Sequence, residues 1–148
     1  MACEYLNQFS TAQVLIENYY LKSFNSIFIK DQLTTILANM ALLENCRKEI
    51  ADFNGLNLLM EFLNEKPSNY FNNNNTSNSS NCNNLIESDL SACERVQQKA
   101  SIAISRFCKE TKYCHQFIDM GVLERILYLC QNSVERNNSD SVLIACLV

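Results

Sequence analysis

The sequence contains very few of the residues that interrupt helices and form tight turns. Of its 148 residues, two are Gly and one is Pro. A sandwich or barrel of many short strands needs frequent turns, and Gly and Pro supply many of the conformations that such turns require. The composition therefore favours an all-α fold. The two glycines also stand alone, which excludes the glycine-rich loops that bind phosphate groups.

Basic residues and long apolar runs are scarce as well. The chain has 12 Lys and Arg against 16 Asp and Glu, a net charge of −4, whereas a nucleic-acid footprint needs clustered positive charge. The longest apolar run, residues 142–148, is seven residues long, far short of the roughly 18 of a membrane-spanning helix. We expect no nucleic-acid partner, no membrane insertion and, because no secretory signal is visible, a cytoplasmic location.

Cysteine is abundant, with eight residues, but no two form a C-x-x-C pair. Free cysteines behave as small apolar residues, and we interpret these as reduced thiols that pack in the core. A zinc site built from Cys108, Cys114, His115 and Cys130 is a weaker alternative, since no chelating spacing supports it. His115 is the sole histidine, and nothing in the sequence orients it for catalysis. We therefore expect no enzyme activity, metal or cofactor.

Two segments repeat without gaps at the same offset, 67: the segment 50–63 aligns with 117–130, and 29–41 aligns with 96–108. In the second pair, apolar residues recur at i, i+4, i+8 and i+11, which indicates one face of a helix. These residues are Ile29, Leu33, Leu37 and Met40 in the first copy, and Val96, Ala100, Ile104 and Phe107 in the second.

A shorter offset, 42, relates 100–104 to 142–146, and the difference between the two offsets predicts an insertion in the longer one. Residues 66–92 are dominated by Asn and Ser and begin beside Pro67. Such a composition buries too little apolar surface to offset the entropy of ordering. We interpret 66–92 as a disordered surface insertion.

Each unit then consists of three helices. The first helix is predicted at 44–53 and 111–120, the second at 56–65 and 122–131, and the third at 27–42, 93–109 and from 139 onward. Val14 to Leu21 fits the second helix of an earlier unit. Asn54 and Gly121, between first and second helices, are residue types that tolerate a left-handed turn. Ser139 or Asp140 is expected to cap the last helix.

A three-helix unit of about 42 residues has the period of armadillo repeats. Residues 96–108 (VQQKASIAISRFC) resemble the usual third helix of that family. Ile102 stands where the family has Trp, and Arg106 where it has Asn. In the preceding unit Asn39 keeps the Asn, and Thr35 stands at the Trp position. The resemblance implies a right-handed α-solenoid of about three partial repeats across residues 1–148, incomplete at the C-terminus.

Residues 135–147 (ERNNSDSVLIACL) resemble the R-N-x-S-D-x-V-L-x-A-C-L segment of the Inscuteable C-terminal armadillo-like domain, through Arg136, Asn137, Ser139 and Asp140. This resemblance implies a non-enzymatic adaptor at the cell cortex that links polarity proteins to spindle orientation in asymmetric cell division. The implied partners are a Bazooka-type PDZ scaffold and Partner-of-Inscuteable-type proteins. In that family the peptide that grips Partner of Inscuteable lies upstream of the repeats, so we do not assign that contact to these residues. The alternative is a generic armadillo peptide-binding adaptor of transport or adhesion complexes, which further repeats carrying Trp and Asn would favour.

In the armadillo family the third helices line a concave face that binds extended peptides, and the matching residues here are Asn39, Thr35, Ile102 and Arg106. The missing Trp residues argue against binding of nuclear-signal-type peptides. Arg106 offers a fork of donors suited to carboxylates or peptide carbonyls. Alternatively, Asn39 satisfies a neighbouring helix end and Arg106 is solvated. Arg136 is expected to pair with Asp140 and fix the C-terminal loop, a structural role that competes with partner contact.

The last four residues, 145–148, resemble a hydrophobic C-terminal ligand of a PDZ domain. They also align with the middle of a third helix. We expect the second explanation to hold and the chain to belong to a longer protein, with the PDZ ligand as the alternative.

Overall fold

The structure is a computed structural model that describes residues 10–22, 26–71 and 80–148, without the side chains of residues 71 and 80–85. Every regular element in these residues is helical. The helices are α1 (Thr11–Lys22), α2 (Ile27–Met40), α3 (Glu44–Asp52), α4 (Gly55–Leu63), α5 (Ser68–Phe71), α6 (Ser80–Phe107), α7 (Thr111–Asp119), α8 (Val122–Gln131), a 3-10 turn (Val134–Arg136) and α9 (Asp140–Leu147). The predicted all-α class is confirmed for the described residues.

The repeated apolar face forms the core where third helices were predicted. In α6, all four residues of that face, Val96 to Phe107 at the spacing given above, are at most 2% exposed. In α2, Leu33, Leu37 and Met40 are buried, but Ile29 is 38% exposed. The helical periodicity thus identified the buried face correctly except at the first position of the first copy.

Both turns between first and second helices have the left-handed backbone that their residue types suggested. Asn54 has φ 66° and Gly121 has φ 78°. Gly55, which follows Asn54, is required for a different reason: a Cβ there would lie 2.5 Å from the carbonyl oxygen of Ile50. Ser139 caps α9 by accepting a hydrogen bond from the Val142 amide at 3.4 Å, as predicted.

The helices predicted as equivalent third helices are neighbours: α2 packs along α6, and α6 packs along α9. Edge-to-face aromatic pairs join further pairs of helices. The Tyr19 and Phe62 ring centroids lie 5.4 Å apart between α1 and α4, and Phe107 of α6 lies 5.2 Å from Tyr113 of α7. These pairs bury large apolar surfaces at preferred ring geometries.

The expectation of a disordered insertion over 66–92 is wrong for residues 80–92, which form the first part of α6, and for Ser68–Phe71, which form α5. Residues 72–79 lie outside the described residues. The error came from averaging Asn and Ser content over the whole stretch, although its end, LIESDLSA, carries apolar residues at helical spacing. Ala92 is fully buried, so this end of α6 is packed against the core.

The longest described helix, α6, has 28 residues. Neither α6 nor any other helix in the described ranges combines the length and apolar character needed to cross a membrane.

Candidate protein-binding surface

A line of polar contacts, here called the seam, runs between α2 and α6. It begins at Asp31, which is 3% exposed. The Asp31 carboxylate accepts from Arg95 Nε at 2.8 Å and from Lys99 Nζ at 2.7 Å. Two cations therefore pair with one buried acid, as the burial of a charged group requires.

The seam continues toward the ends of both helices. Lys99 Nζ also donates to Thr35 Oγ1 at 2.5 Å, and Arg106 Nη1 donates to the Ala38 carbonyl oxygen at 2.5 Å. The α2 backbone carbonyl beside Asn39 thus receives its donor from a neighbouring helix, which satisfies a group near the helix C-terminus. The contacts follow the length over which the two helices pack.

Two of the four predicted binding residues, Thr35 and Arg106, take part in the seam. Thr35 and Arg106 bridge the two helices, and Ile102 lies one helical turn from each of Lys99 and Arg106, half-buried. Asn39 is exposed at the end of α2. Arg106 is half-buried and bonded to a carbonyl, so the alternative that it is simply solvated is wrong.

Three cations and one acid make the seam positive within a chain of net charge −4. Part of this charge faces solvent: the Arg95 side chain is 42% exposed and that of Lys99 24%. The sequence contained no run of basic residues, because Arg95, Lys99 and Arg106 are spread over three turns of α6 and become a line only on the helix surface.

The C-terminal motif forms a compact turn, but the expected pair of Arg136 and Asp140 is wrong. Arg136 Nη1 donates instead to the carbonyl oxygens of Leu129 at 3.0 Å and Cys130 at 3.5 Å, and Asp140 is exposed. The last carbonyls of α8 lack partners within their own helix, and a buried guanidinium satisfies them.

Asn137 of this motif has φ 51°, and its side-chain amide donates to Glu94 Oε1 at 2.5 Å. This contact fixes the turn against α6. Together with the Ser139 cap, it holds the motif in place within the described residues.

A buried junction around Glu65 was not predicted. Glu65 is 6% exposed, and its carboxylate bonds Lys30 Nζ and accepts from the Tyr70 hydroxyl at 2.8 Å. Its backbone carbonyl accepts from Gln97 Nε2 at 2.7 Å and from Arg125 Nη2 at 3.3 Å. Nothing in the sequence indicated the junction, because its members come from five separate segments.

Arg125 connects that junction to α8 and to the 3-10 turn. It is 8% exposed, donates to the Leu63 carbonyl at 3.1 Å and pairs with Glu135 Oε2 at 3.0 Å. Arg125 therefore donates to a backbone carbonyl at the end of α4, as Arg136 does at the end of α8. Arg47 does the same at the end of α2, donating to Ala41 O at 3.0 Å. Buried arginines thus bond the C-terminal carbonyls of three helices in the described residues.

The cysteines that the structure describes with their side chains are outside any disulfide, consistent with the predicted reduced state. They are Cys46, Cys93, Cys108, Cys114, Cys130 and Cys146. Burial raises the pKa of Cys93 to about 12, and burial with the neighbouring Cys114 thiol raises the pKa of Cys108 to about 11. These two thiols stay protonated near neutral pH, which makes them poor nucleophiles.

The four residues considered for zinc do not meet in one place. Cys114 lies against Cys108, Cys130 lies against Cys146, and His115 is exposed. In the described ranges no three His, Cys, Asp or Glu side chains converge as metal ligands would.

Comparison with known proteins identifies a family whose sequences match this chain. A sequence model of the family described as "Protein inscuteable C-terminal" matches residues 1–148. Two relatives, each named "Protein inscuteable homolog", come from Mus musculus and Homo sapiens and are each 36% identical over 148 residues. Each alignment covers 99% of this chain and 23% of the relative, so the chain spans about a quarter of their length. No solved structure matches the chain.

Proposed function

Because the chain belongs to the Inscuteable C-terminal family, we propose that it is a non-enzymatic adaptor module that binds protein partners. In this role it links cortical polarity proteins to spindle orientation in asymmetric cell division, in the cytoplasm and at the cell cortex. The proposed partners are a Bazooka-type PDZ scaffold and Partner-of-Inscuteable-type proteins. The match over the whole chain supports the role, and the seam supplies the surface.

The proposed architecture for this role is an armadillo-type right-handed solenoid in which residues 1–148 form one domain. The adjacency of α2, α6 and α9 supports it, because solenoids place equivalent helices of successive units side by side. Such a stack presents residues of different units along one continuous surface, which suits an extended partner segment.

The observation that carries the proposed binding surface is the positive seam. An extended acidic segment lying along it would meet Arg95, Lys99 and Arg106 in order, with Ile102 as the apolar contact between the cations. Arg106 is placed to share further donors with a partner carboxylate or carbonyl, because its contact with the Ala38 carbonyl uses Nη1 alone. Asn39, exposed at the end of the seam, lies on the path of the same segment.

The test is biolayer interferometry of the purified chain against each proposed partner. We expect binding that Arg106→Glu weakens at least tenfold, because the substitution places a like charge against an acidic partner. Lys109→Glu is the matched control: it makes the same charge change at an exposed residue just beyond α6. It should weaken binding less than threefold.

A conservative variant separates binding from folding. Arg106→Lys keeps the charge but loses the planar fork, so it should weaken binding by an intermediate factor while the thermal unfolding midpoint stays near that of the unmodified chain. If neither partner binds, or if Arg106→Glu and Lys109→Glu weaken binding equally, the seam is not the binding surface.

A further inference from the structure

A pocket with a volume of about 350 Å³ lies where the end of α3 and the start of α4 meet the end of α7. Its lining includes Asn54, Leu56, Asn57, Gln116, Asp119 and Met120. Binding pockets in proteins commonly combine an apolar surface with a few polar groups that orient the bound group. This pocket, here called the inter-unit pocket, has both.

The apolar part of the inter-unit pocket belongs to the packed core. Leu56 is 8% exposed, and Met120 is half-buried. Leu56 is part of the core cluster, and Met120 packs against that cluster. A flexible aliphatic chain that lies on these two side chains would remove apolar surface from water, on the bound chain as well as on the pocket.

The polar part of the pocket is rich in hydrogen-bond acceptors. Asp119 is exposed, and its carboxylate has no hydrogen-bond or ion-pair partner among the described residues. Asn57 Nδ2 donates to Asn54 Oδ1, and Asn54 Nδ2 donates to the Tyr20 hydroxyl at 3.3 Å. These two bonds orient both amides and leave the Asn57 carbonyl oxygen as a second acceptor.

Charge and geometry together select the group that fits. Asp119 is the one charged residue in the lining of the pocket, so the lining itself supplies no cation to neutralise it. The two acceptors belong to different units, Asn57 to the first and Asp119 to the second. A guanidinium carries five donors in a planar fork, which lets one group bond two separated acceptors, whereas an ammonium group is a compact point charge.

We propose that the inter-unit pocket binds an arginine side chain of a partner protein. The guanidinium bonds the Asp119 carboxylate and the Asn57 carbonyl oxygen, and the aliphatic stem lies on Leu56 and Met120. Charge complementarity carries the choice of occupant. Arginine is also among the side chains that most often dominate the binding energy of an interface when they fill a pocket.

This site goes beyond the proposed function because it is a second surface with the opposite preference. The seam presents Arg95, Lys99 and Arg106 of α6 to acidic groups, whereas the inter-unit pocket presents an acid to a cation. The two surfaces share no residue, so each is tested separately.

The experiment uses the whole chain and three small probes, the N-acetyl-N′-methylamide derivatives of arginine, citrulline and lysine. Citrulline has nearly the length and shape of arginine but no charge. NMR titration follows the Met120 methyl group and the side-chain amides of Asn54, Asn57 and Gln116. These signals detect weak binding and also show where the probe binds.

We expect the arginine probe to shift these signals with an affinity in the millimolar range. The citrulline probe should bind at least about fivefold more weakly, because it lacks the charge. Asp119→Asn should weaken binding of the arginine probe at least about fivefold as well. Asp52→Asn is the matched control: Asp52 is the equivalent of Asp119 at the offset of 67 and is exposed, but it does not line the pocket. It should change binding less than about twofold.

Both variants alter an exposed residue, so an unchanged thermal unfolding midpoint separates a loss of binding from a loss of folding. Equal binding of the arginine and citrulline probes, equal effects of Asp119→Asn and Asp52→Asn, shifts confined to other residues, or no shifts at all would each overturn the proposal. Tighter binding of the lysine probe than of the arginine probe would assign the pocket to an ammonium group and overturn the choice of arginine.

Discussion

The two helical units related by the offset of 67, α3 with α4 and α7 with α8, have similar backbones but different surroundings. Their turns at Asn54 and Gly121 have nearly the same left-handed geometry. Helices α3 and α7 begin and end at equivalent residues, and α4 and α8 begin at equivalent residues. Yet Leu56 is covered and Leu123 is open. The difference teaches that the repeated sequence determines the backbone of a unit, whereas the elements that pack beside it determine which of its faces are buried.

Polar side chains show the same division. In the first unit Arg47 pairs with Glu110 of the next unit, and at the second unit a cysteine occupies that position. Likewise Arg125 of the second unit replaces Leu58 of the first, because it reaches back to the end of α4. At both positions, the arginine that only one of the two units has makes a contact with the other unit.

The largest expected effect on stability tests the contrast between the buried Leu56 and the exposed Leu123. Leu56→Ala should lower the free energy of unfolding by about 3 kcal/mol, because it removes buried methyl groups and leaves a cavity. Leu123→Ala removes the same atoms from a half-exposed site and should cost less than about 1 kcal/mol. Urea unfolding of both variants measures the difference, and equal losses would contradict the contrast.

The next effect concerns the junction. Arg125→Leu gives the second unit the residue that the first unit has at this position, but it leaves the Leu63 and Glu65 carbonyls without this donor. We expect a loss of about 2 kcal/mol in urea unfolding. Lys109→Leu, at an exposed residue just beyond α6, is the control and should cost less than about 1 kcal/mol. Similar losses would mean that the junction is not a special contact.

A smaller effect tests the equivalence of the two turns. Gly121→Ala places a side chain at φ 78° and should cost about 1 kcal/mol. Gly121→Asn copies the turn of the first unit and should cost less, because Asn tolerates this conformation better than other non-glycine residues. If Asn costs as much as Ala, the two turns are not interchangeable.

The smallest expected effect is on the pH dependence of stability, and it comes from the Cys93 thiol. Burial raises the pKa of its thiol from 9.0 to about 12. A raised folded-state pKa stabilises the protein fully below pH 9 and progressively less as the pH rises toward 12. The thermal unfolding midpoint should therefore decrease as the pH rises from 9 toward 12, and Cys93→Ala should make this decrease shallower. An unchanged slope in the variant would show that Cys93 does not contribute.

The sequence allowed prediction of features with a local physical cause. The left-handed turns followed from Asn54 and Gly121 at one offset, and the cap followed from Ser139 before an apolar run. The seam was partly foreseen, since Thr35 and Arg106 lie on equivalent helix faces. Their bonding partners could not be foreseen, because they depend on how α2 and α6 are placed side by side.

The features that the sequence did not predict have different physical causes. The sequence suggests a pair between Arg136 and the nearest acid, Asp140, but the Arg136 guanidinium donates to a buried carbonyl of α8 instead. The Glu65 junction was missed because a charged residue is ordinarily expected at the surface. The helical start of α6 was missed because its composition was judged together with the preceding Asn tract.

The central structural claim is that equivalent faces of the two units differ in cover, and carbene footprinting with mass spectrometry tests it most directly. The labelling of Leu123 should exceed that of Leu56 several-fold in the native chain, and the two should become similar in urea. Equal labelling of Leu56 and Leu123 in the native state would contradict the account.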